Sequence, residues 1–91
     1  MNINSLELKV FTKEDCPICQ LDEFGNLLRK LSEHGTPIKY YNVDTTEGLA
    51  EAAYESIGNG KLPVILAFRD GERVGQWEGK IPLLEEVLGD D

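Results

Sequence analysis

Phe11-Thr12-Lys13-Glu14-Asp15-Cys16-Pro17-Ile18-Cys19 decides the fold, because the hydrophobic period changes across it. Upstream, Leu6, Leu8 and Val10 alternate with polar residues and the run closes on Phe11, which predicts a strand over Leu6–Thr12. Downstream, Leu21, Phe24, Leu28 and Leu31 recur at helical spacing until Gly35 stops them. Pro17 suits a first helical position, where its missing N–H leaves no bond unmade, so the spacing predicts a helix from Pro17 with Cys16 at its N-cap.

Further along the chain, Ile38 to Val43 reads as a second strand, and Asp44, Thr45 and Thr46 offer capping oxygens for a helix carrying Leu49, Ala53 and Ile57. Gly58-Asn59-Gly60 is expected to end that helix. Strand, helix, strand at this spacing implies a right-handed crossover between parallel strands. Val64 to Phe68 then forms a strand, Asp70-Gly71 a tight hairpin, and Val74 to Trp77 the returning strand. A last helix begins near Pro82 and is expected to bury Leu83, Leu84, Val87 and Leu88 before Gly89. The order predicts an α/β domain, a βαβ unit followed by ββα, with a four-stranded mixed sheet flanked by three helices. The 91 residues fit a single domain over 1–91, without linker, repeat or low-complexity segment.

A net charge of -8 repels polyanions, and no run of Lys and Arg offers a local exception, which argues against nucleic-acid binding. No apolar run approaches the roughly 18 residues of a membrane span, and the N-terminus lacks a signal-like basic flank, so the expectation is a cytoplasmic protein acting as a monomer. Cys16 and Cys19 are the only cysteines, and a disulfide between them would close a very small loop. Such a loop restricts the unfolded chain little, so chemistry explains the pair better than stapling does.

Three residues apart on a helical turn, two alpha carbons lie roughly 5–6 Å apart, within disulfide reach. At the cap, the Cys16 sulfur would face unpaired backbone donors and the positive end of the helix dipole, which favours its thiolate. Each kcal/mol of that preference lowers a thiol pKa by roughly 0.7 units. Lys13 would add a positive charge, whereas Glu14 and Asp15 oppose ionisation, and Lys13 is equally readable as a solvated surface lysine. Cys19, one turn inside, is expected to be the less exposed, resolving thiol. The rival meaning of C-x-x-C is half of a metal site. A zinc site needs four ligands, and one chain offers two cysteines and His34 at the far end of the first helix, so no metal site is assigned within the chain. A metal or iron-sulfur cluster shared between two chains stays open.

With C-P-x-C between a first strand and a first helix, and Leu62-Pro63-Val64 opening a third strand, nearly the whole chain resembles the thioredoxin-like superfamily. The segment Phe11 to Cys19 is similar to that of glutaredoxins. This resemblance implies that Pro63 is a cis proline beside the reactive cysteine, and that the Leu62 backbone holds a substrate peptide. A cis proline would withhold a sheet donor and bare neighbouring backbone for an extended segment. Glutaredoxins usually carry Gly-Gly and an aspartate before the last helix for glutathione, where this chain has Trp77-Glu78-Gly79-Lys80-Ile81-Pro82. That W-x-G-x-x-P segment resembles the redoxins associated with ribonucleotide reductase, although Lys80 and Ile81 stand where those usually have an arginine. Thioredoxins proper differ at Asp15, where they have tryptophan, and at Val10, where they have an acidic residue.

The resemblance implies a dithiol oxidoreductase with Cys16 and Cys19 catalytic, and with Lys13, Pro17, Leu62, Pro63 and Trp77 as substrate-binding candidates. Trp77 is equally readable as a core or edge-strand aromatic. The implied partners are disulfide-bearing proteins and a reductase. No cofactor would be bound, and electrons would come from a thioredoxin-reductase-type donor or, in a glutaredoxin, from glutathione.

Overall fold

The alternation in the first run builds β1 (Leu6–Thr12), which puts Leu6, Leu8 and Val10 on one face of the sheet and Lys9 and Phe11 on the other. The structure is a computed structural model and describes residues 6–57 and 61–89. The remaining elements are α1 (Asp22–Glu33), β2 (Ile38–Asn42), α2 (Thr46–Tyr54), β3 (Val64–Arg69), β4 (Glu72–Glu78) and α3 (Leu84–Leu88). A short 3-10 turn, Ile18–Gln20, precedes α1.

Among the described residues the strands form one four-stranded sheet in the order β2-β1-β3-β4. β1 pairs parallel with β2, Leu8 opposite Ile38 and Thr12 opposite Asn42, and antiparallel with β3, Phe11 opposite Val64. β3 and β4 form an antiparallel hairpin through Asp70-Gly71, whose positive φ angles of 56° and 86° suit a two-residue turn. The register shifts beside Ala67 and Phe68, where Gly75 and Arg73 face them and Val74 is the extra residue. The mixed sheet and three helices match the expected architecture, and the bounds of β1 match residue for residue.

The two faces are covered unequally. α1 buries Phe24, Leu27, Leu28 and Leu31, and α3 buries Val87, against Leu6, Leu8, Val10, Ile65 and Ala67. The other face holds a smaller cluster of Phe11, Ala52, Val64 and Leu66 under α2. There Lys9, a charged residue on the central strand, is held by Glu51 at 2.6 Å and Glu55 at 2.5 Å, and Arg73 reaches Glu55 at 2.8 Å. Lys9 also sits over the rings of Tyr54 and Phe68, so this edge of the small core is closed by ions and aromatics rather than by aliphatic packing.

Three expectations are corrected. The first helix does not run from Pro17: Leu21 has extended backbone, φ -75° and ψ 142°, is 49% exposed, and stands at the N-cap of α1. Asp22 and Glu23 explain the start, since acidic side chains in a first turn meet the positive end of the dipole. On α2 the buried stripe is Gly48 and Ala52, while Leu49 is 61% exposed and Ile57 lies beyond the helix. Leu83 is exposed ahead of α3, with Pro82 buried in its stead. The Gly58-Asn59-Gly60 stop lies outside the described residues.

Candidate redox site

Register places the site. Because Phe11 faces Val64, the loop leaving β1 and the Leu62-Pro63 step entering β3 lie at the same end of the sheet. Val64 in turn faces Glu78, and the Gly79 N–H donates to the Pro63 carbonyl at 2.8 Å, which brings the start of segment 79–82 to that end as well. The Leu62-Pro63 peptide is cis, as the family resemblance implies. Leu62 is half-buried on the α2-side cluster, and its own N–H and carbonyl make no backbone hydrogen bond among the described residues.

Cys16 and Cys19 form a disulfide with alpha carbons 5.3 Å apart. Pro17 adopts helical backbone, φ -60° and ψ -41°, and opens the 3-10 turn, in which Gln20 N–H donates to the Pro17 carbonyl at 3.1 Å. Proline fits here for the reason it fits a helix start, since its fixed φ suits both. Cys16 thus heads a 3-10 turn rather than capping α1. The donor expected of a cap is still present: the Cys19 backbone N–H points at the Cys16 sulfur at 3.1 Å.

Burial runs opposite to expectation. Cys16 is 2% exposed, whereas Cys19 is half-buried against the α1-side core. The extended break at Leu21 separates Cys19 from α1, so it lies in the surface 3-10 turn instead of one turn inside a helix.

Of the other candidates, Lys13 and Pro17 are exposed, and Lys13 has no ion-pair partner among the described residues. Trp77 lies partly buried on β4 opposite Ile65, against the α1-side core, with its indole folded back over Gly75. A β-carbon at Gly75 would come within 2.5 Å of that ring. Trp77 therefore packs as a core aromatic at the edge strand, against the same cluster that Cys19 touches. His34 sits at the end of α1 with Nδ1 2.9 Å from the Lys30 carbonyl, a contact within its own helix end.

Sequence reasoning missed what holds the loop ahead of Cys16. The Glu14 N–H donates to Asp44 Oδ2 at 2.9 Å, and the Glu14 carbonyl accepts from Gln20 Nε2 at 3.4 Å. Asp44 reads in sequence as one of three capping residues for α2, but Thr45 is the cap, its Oγ1 accepting from Gly48 N–H at 3.0 Å. More cap-competent residues than one helix needs is the signal that one of them is free for other work.

No protein-family model matches the chain, and no curated protein matches it. Solved structures do. The thioredoxin pre-protein of Schistosoma mansoni superposes with a TM-score of 0.71 at 25% identity, over 94% of this chain and 78% of that one. A point-mutant thioredoxin of Halobacterium salinarum gives 0.72 at 22% identity, over 93% and 70%. Fasciola hepatica thioredoxin gives 0.65 at 20%, over 80% and 66%, so the chain spans only about two-thirds of that relative's length.

Proposed function

The chain has a thioredoxin-like fold with a Cys-x-x-Cys pair at the head of its first helical segment, and from this premise we propose that it is a thiol-disulfide oxidoreductase that reduces protein disulfides. The observation that carries the reading is the Cys19 N–H aimed at the Cys16 sulfur at 3.1 Å. Burial of Cys16 works against a negative charge, so that donor has to stabilise the thiolate. A hydrogen bond to a charged acceptor contributes about 1.5–3 kcal/mol, which offsets the burial cost and favours the charged sulfur over the same site without the donor.

In the cycle, the Cys16 thiolate attacks one sulfur of a substrate disulfide and expels the other as a thiolate, leaving a mixed disulfide on Cys16. The Cys19 thiol, deprotonated, attacks the Cys16 sulfur and releases the second substrate thiol. The substrate gains two electrons and two protons, and the Cys16–Cys19 disulfide is the oxidised product. An external donor returns the electrons. The Leu62 N–H and carbonyl, which make no backbone hydrogen bond among the described residues, lie beside cis-Pro63 and are suited to an extended substrate backbone. Lys13 and Pro17, both exposed on the same loop, would line the approach.

The donor is read from the segment Trp77 to Pro82. It lacks the Gly-Gly-Asp pattern that glutaredoxins use for glutathione, which favours a thioredoxin-reductase-type donor. NADPH-coupled reduction of a model protein disulfide, run with thioredoxin reductase and separately with glutathione plus glutathione reductase, tests this. The expected result is turnover with thioredoxin reductase alone. Turnover only through glutathione would make the protein a glutaredoxin, and silence with both would remove the oxidoreductase reading.

A further inference from the structure

The loop that presents Cys16 is held from outside. We propose that Asp44 is a positioning residue for the reactive cysteine, acting through its hydrogen bond to the Glu14 backbone. The β2–α2 connection is itself stiff: Val43 N–H donates to the Thr12 carbonyl at 2.8 Å, Asp44 N–H to Asn42 Oδ1 at 2.8 Å, and both Thr45 N–H and Thr45 Oγ1 to the Asn42 carbonyl at 3.0 and 2.7 Å. None of these bonds uses the Asp44 carboxylate. That group leaves its own turn, spans 30 residues in sequence and accepts the Glu14 N–H at 2.9 Å.

Glu14 lies two residues before Cys16, and its peptide is gripped on both sides, by Asp44 at the nitrogen and by Gln20 at the oxygen. The first bond ties the loop to the parallel strand pair, and the second ties it to the 3-10 turn that carries Cys19. With Glu14 fixed, the backbone has two residues in which to deliver the Cys16 sulfur to the Cys19 N–H. Loss of the Asp44 acceptor frees that delivery and weakens the 3.1 Å contact, while the α2 cap at Thr45 and the Asn42 turn stay in place.

The proposal deepens the reading of Cys16 as the attacking thiol and is tested without substrate or reductase. In a Cys19→Ser background, which leaves one thiol and keeps the donating N–H, the rate of Cys16 alkylation by iodoacetamide is measured at pH 7 for Asp44, Asp44→Asn, Asp44→Ala and Asp44→Ser. Asn, Ala and Ser are all neutral, so the comparison isolates the acceptor from the charge; Ser also keeps a polar turn residue but is too short to reach Glu14. Asp44→Asn should alkylate within about twofold of the parent, and Asp44→Ala and Asp44→Ser threefold or more slower than Asp44→Asn, with the Glu14 amide losing hydrogen-exchange protection in those two alone. Ala and Ser variants as fast as Asn, or an Asn variant as slow as Ala, would overturn the proposal. If Ala fails to fold, Ser against Asn decides. Cys16 no faster than a free thiol in every protein, the parent included, would instead remove the reading of Cys16 as the activated thiol, and the proposal with it.

Discussion

Glu55 is tied to two cations, Lys9 and Arg73, with only 10% of its side chain exposed. Burial pushes its carboxyl up, and hydrogen bonds from Lys9 and Arg73 together with their charges outweigh that and hold it below the usual carboxylate range. Burial likewise pulls Lys9 down, and its bonds to Glu51 and Glu55 more than reverse this, leaving the ammonium more basic than usual. For Glu55 the folded value is depressed, so its contribution to stability is complete above the unfolded carboxylate range and is lost as pH falls through the folded value. Lys9 has the opposite sign: its contribution is present at all pH values below the ordinary lysine range, so neutral and acidic conditions do not remove it by deprotonation. Glu55→Gln should therefore unfold more easily than the parent at pH 7, by on the order of 2 kcal/mol, the scale of hydrogen bonds to a charged group. Urea denaturation at pH 7 and pH 3 checks it, since the gap should shrink at pH 3; an equal gap at both would show that packing, not charge, is lost.

At the scale of elements, α2 is docked by the absence of a side chain. A β-carbon at Gly48 would fall 1.9 Å from the Asn42 carbonyl oxygen, a backbone atom at the end of β2 that also holds Thr45. Alanine is favoured over glycine in a helix by about 1 kcal/mol, whereas forcing extra volume into a tight contact costs about 1–3 kcal/mol, and here the obstacle is backbone. The clash wins. Gly48→Ala should lower Tm by several degrees, about 4 °C or more, and a calorimetric Tm equal to or above the parent's would contradict this packing. Such a contact is invisible to periodicity, which is why the sequence points to Leu49 and Ala53 as the stripe while Gly48 and Ala52 face the sheet. β1 and the Asp70-Gly71 hairpin were legible because alternation and a left-handed turn pair are local signals. The start of α1 was not, because Pro17 and Leu21 fit the helical spacing while Asp22 and Glu23 set the first turn. At the site, the pairing of Cys16 with Cys19 followed from spacing, but which cysteine is buried depended on the break at Leu21, and the Asp44 contact depended on strand register.

For the whole molecule, one end of the sheet gathers the chemistry. The β1 loop with Cys16 and Cys19, the cis Leu62-Pro63 step and the Gly79 turn meet there through β1–β3 and β3–β4 pairing. The overall charge of -8 sets a field that favours basic partner surfaces and slows acidic ones, without choosing the substrate. Among the described residues no helix is long and apolar enough to cross a membrane. In the function we propose, this end exchanges two electrons with a protein disulfide, Cys16 attacking and Cys19 resolving. A single turnover separates the two roles: the fully reduced protein, Cys16→Ser and Cys19→Ser are each mixed with a disulfide-bearing protein, quenched with acid and mapped for disulfides. The parent should end as Cys16–Cys19 with one substrate disulfide opened, Cys19→Ser should be trapped as a mixed disulfide on Cys16, and Cys16→Ser should be inert. A mixed disulfide accumulating on Cys19 of the Cys16→Ser protein, with none trapped on Cys16 of the Cys19→Ser protein, would contradict this assignment and exchange the two roles.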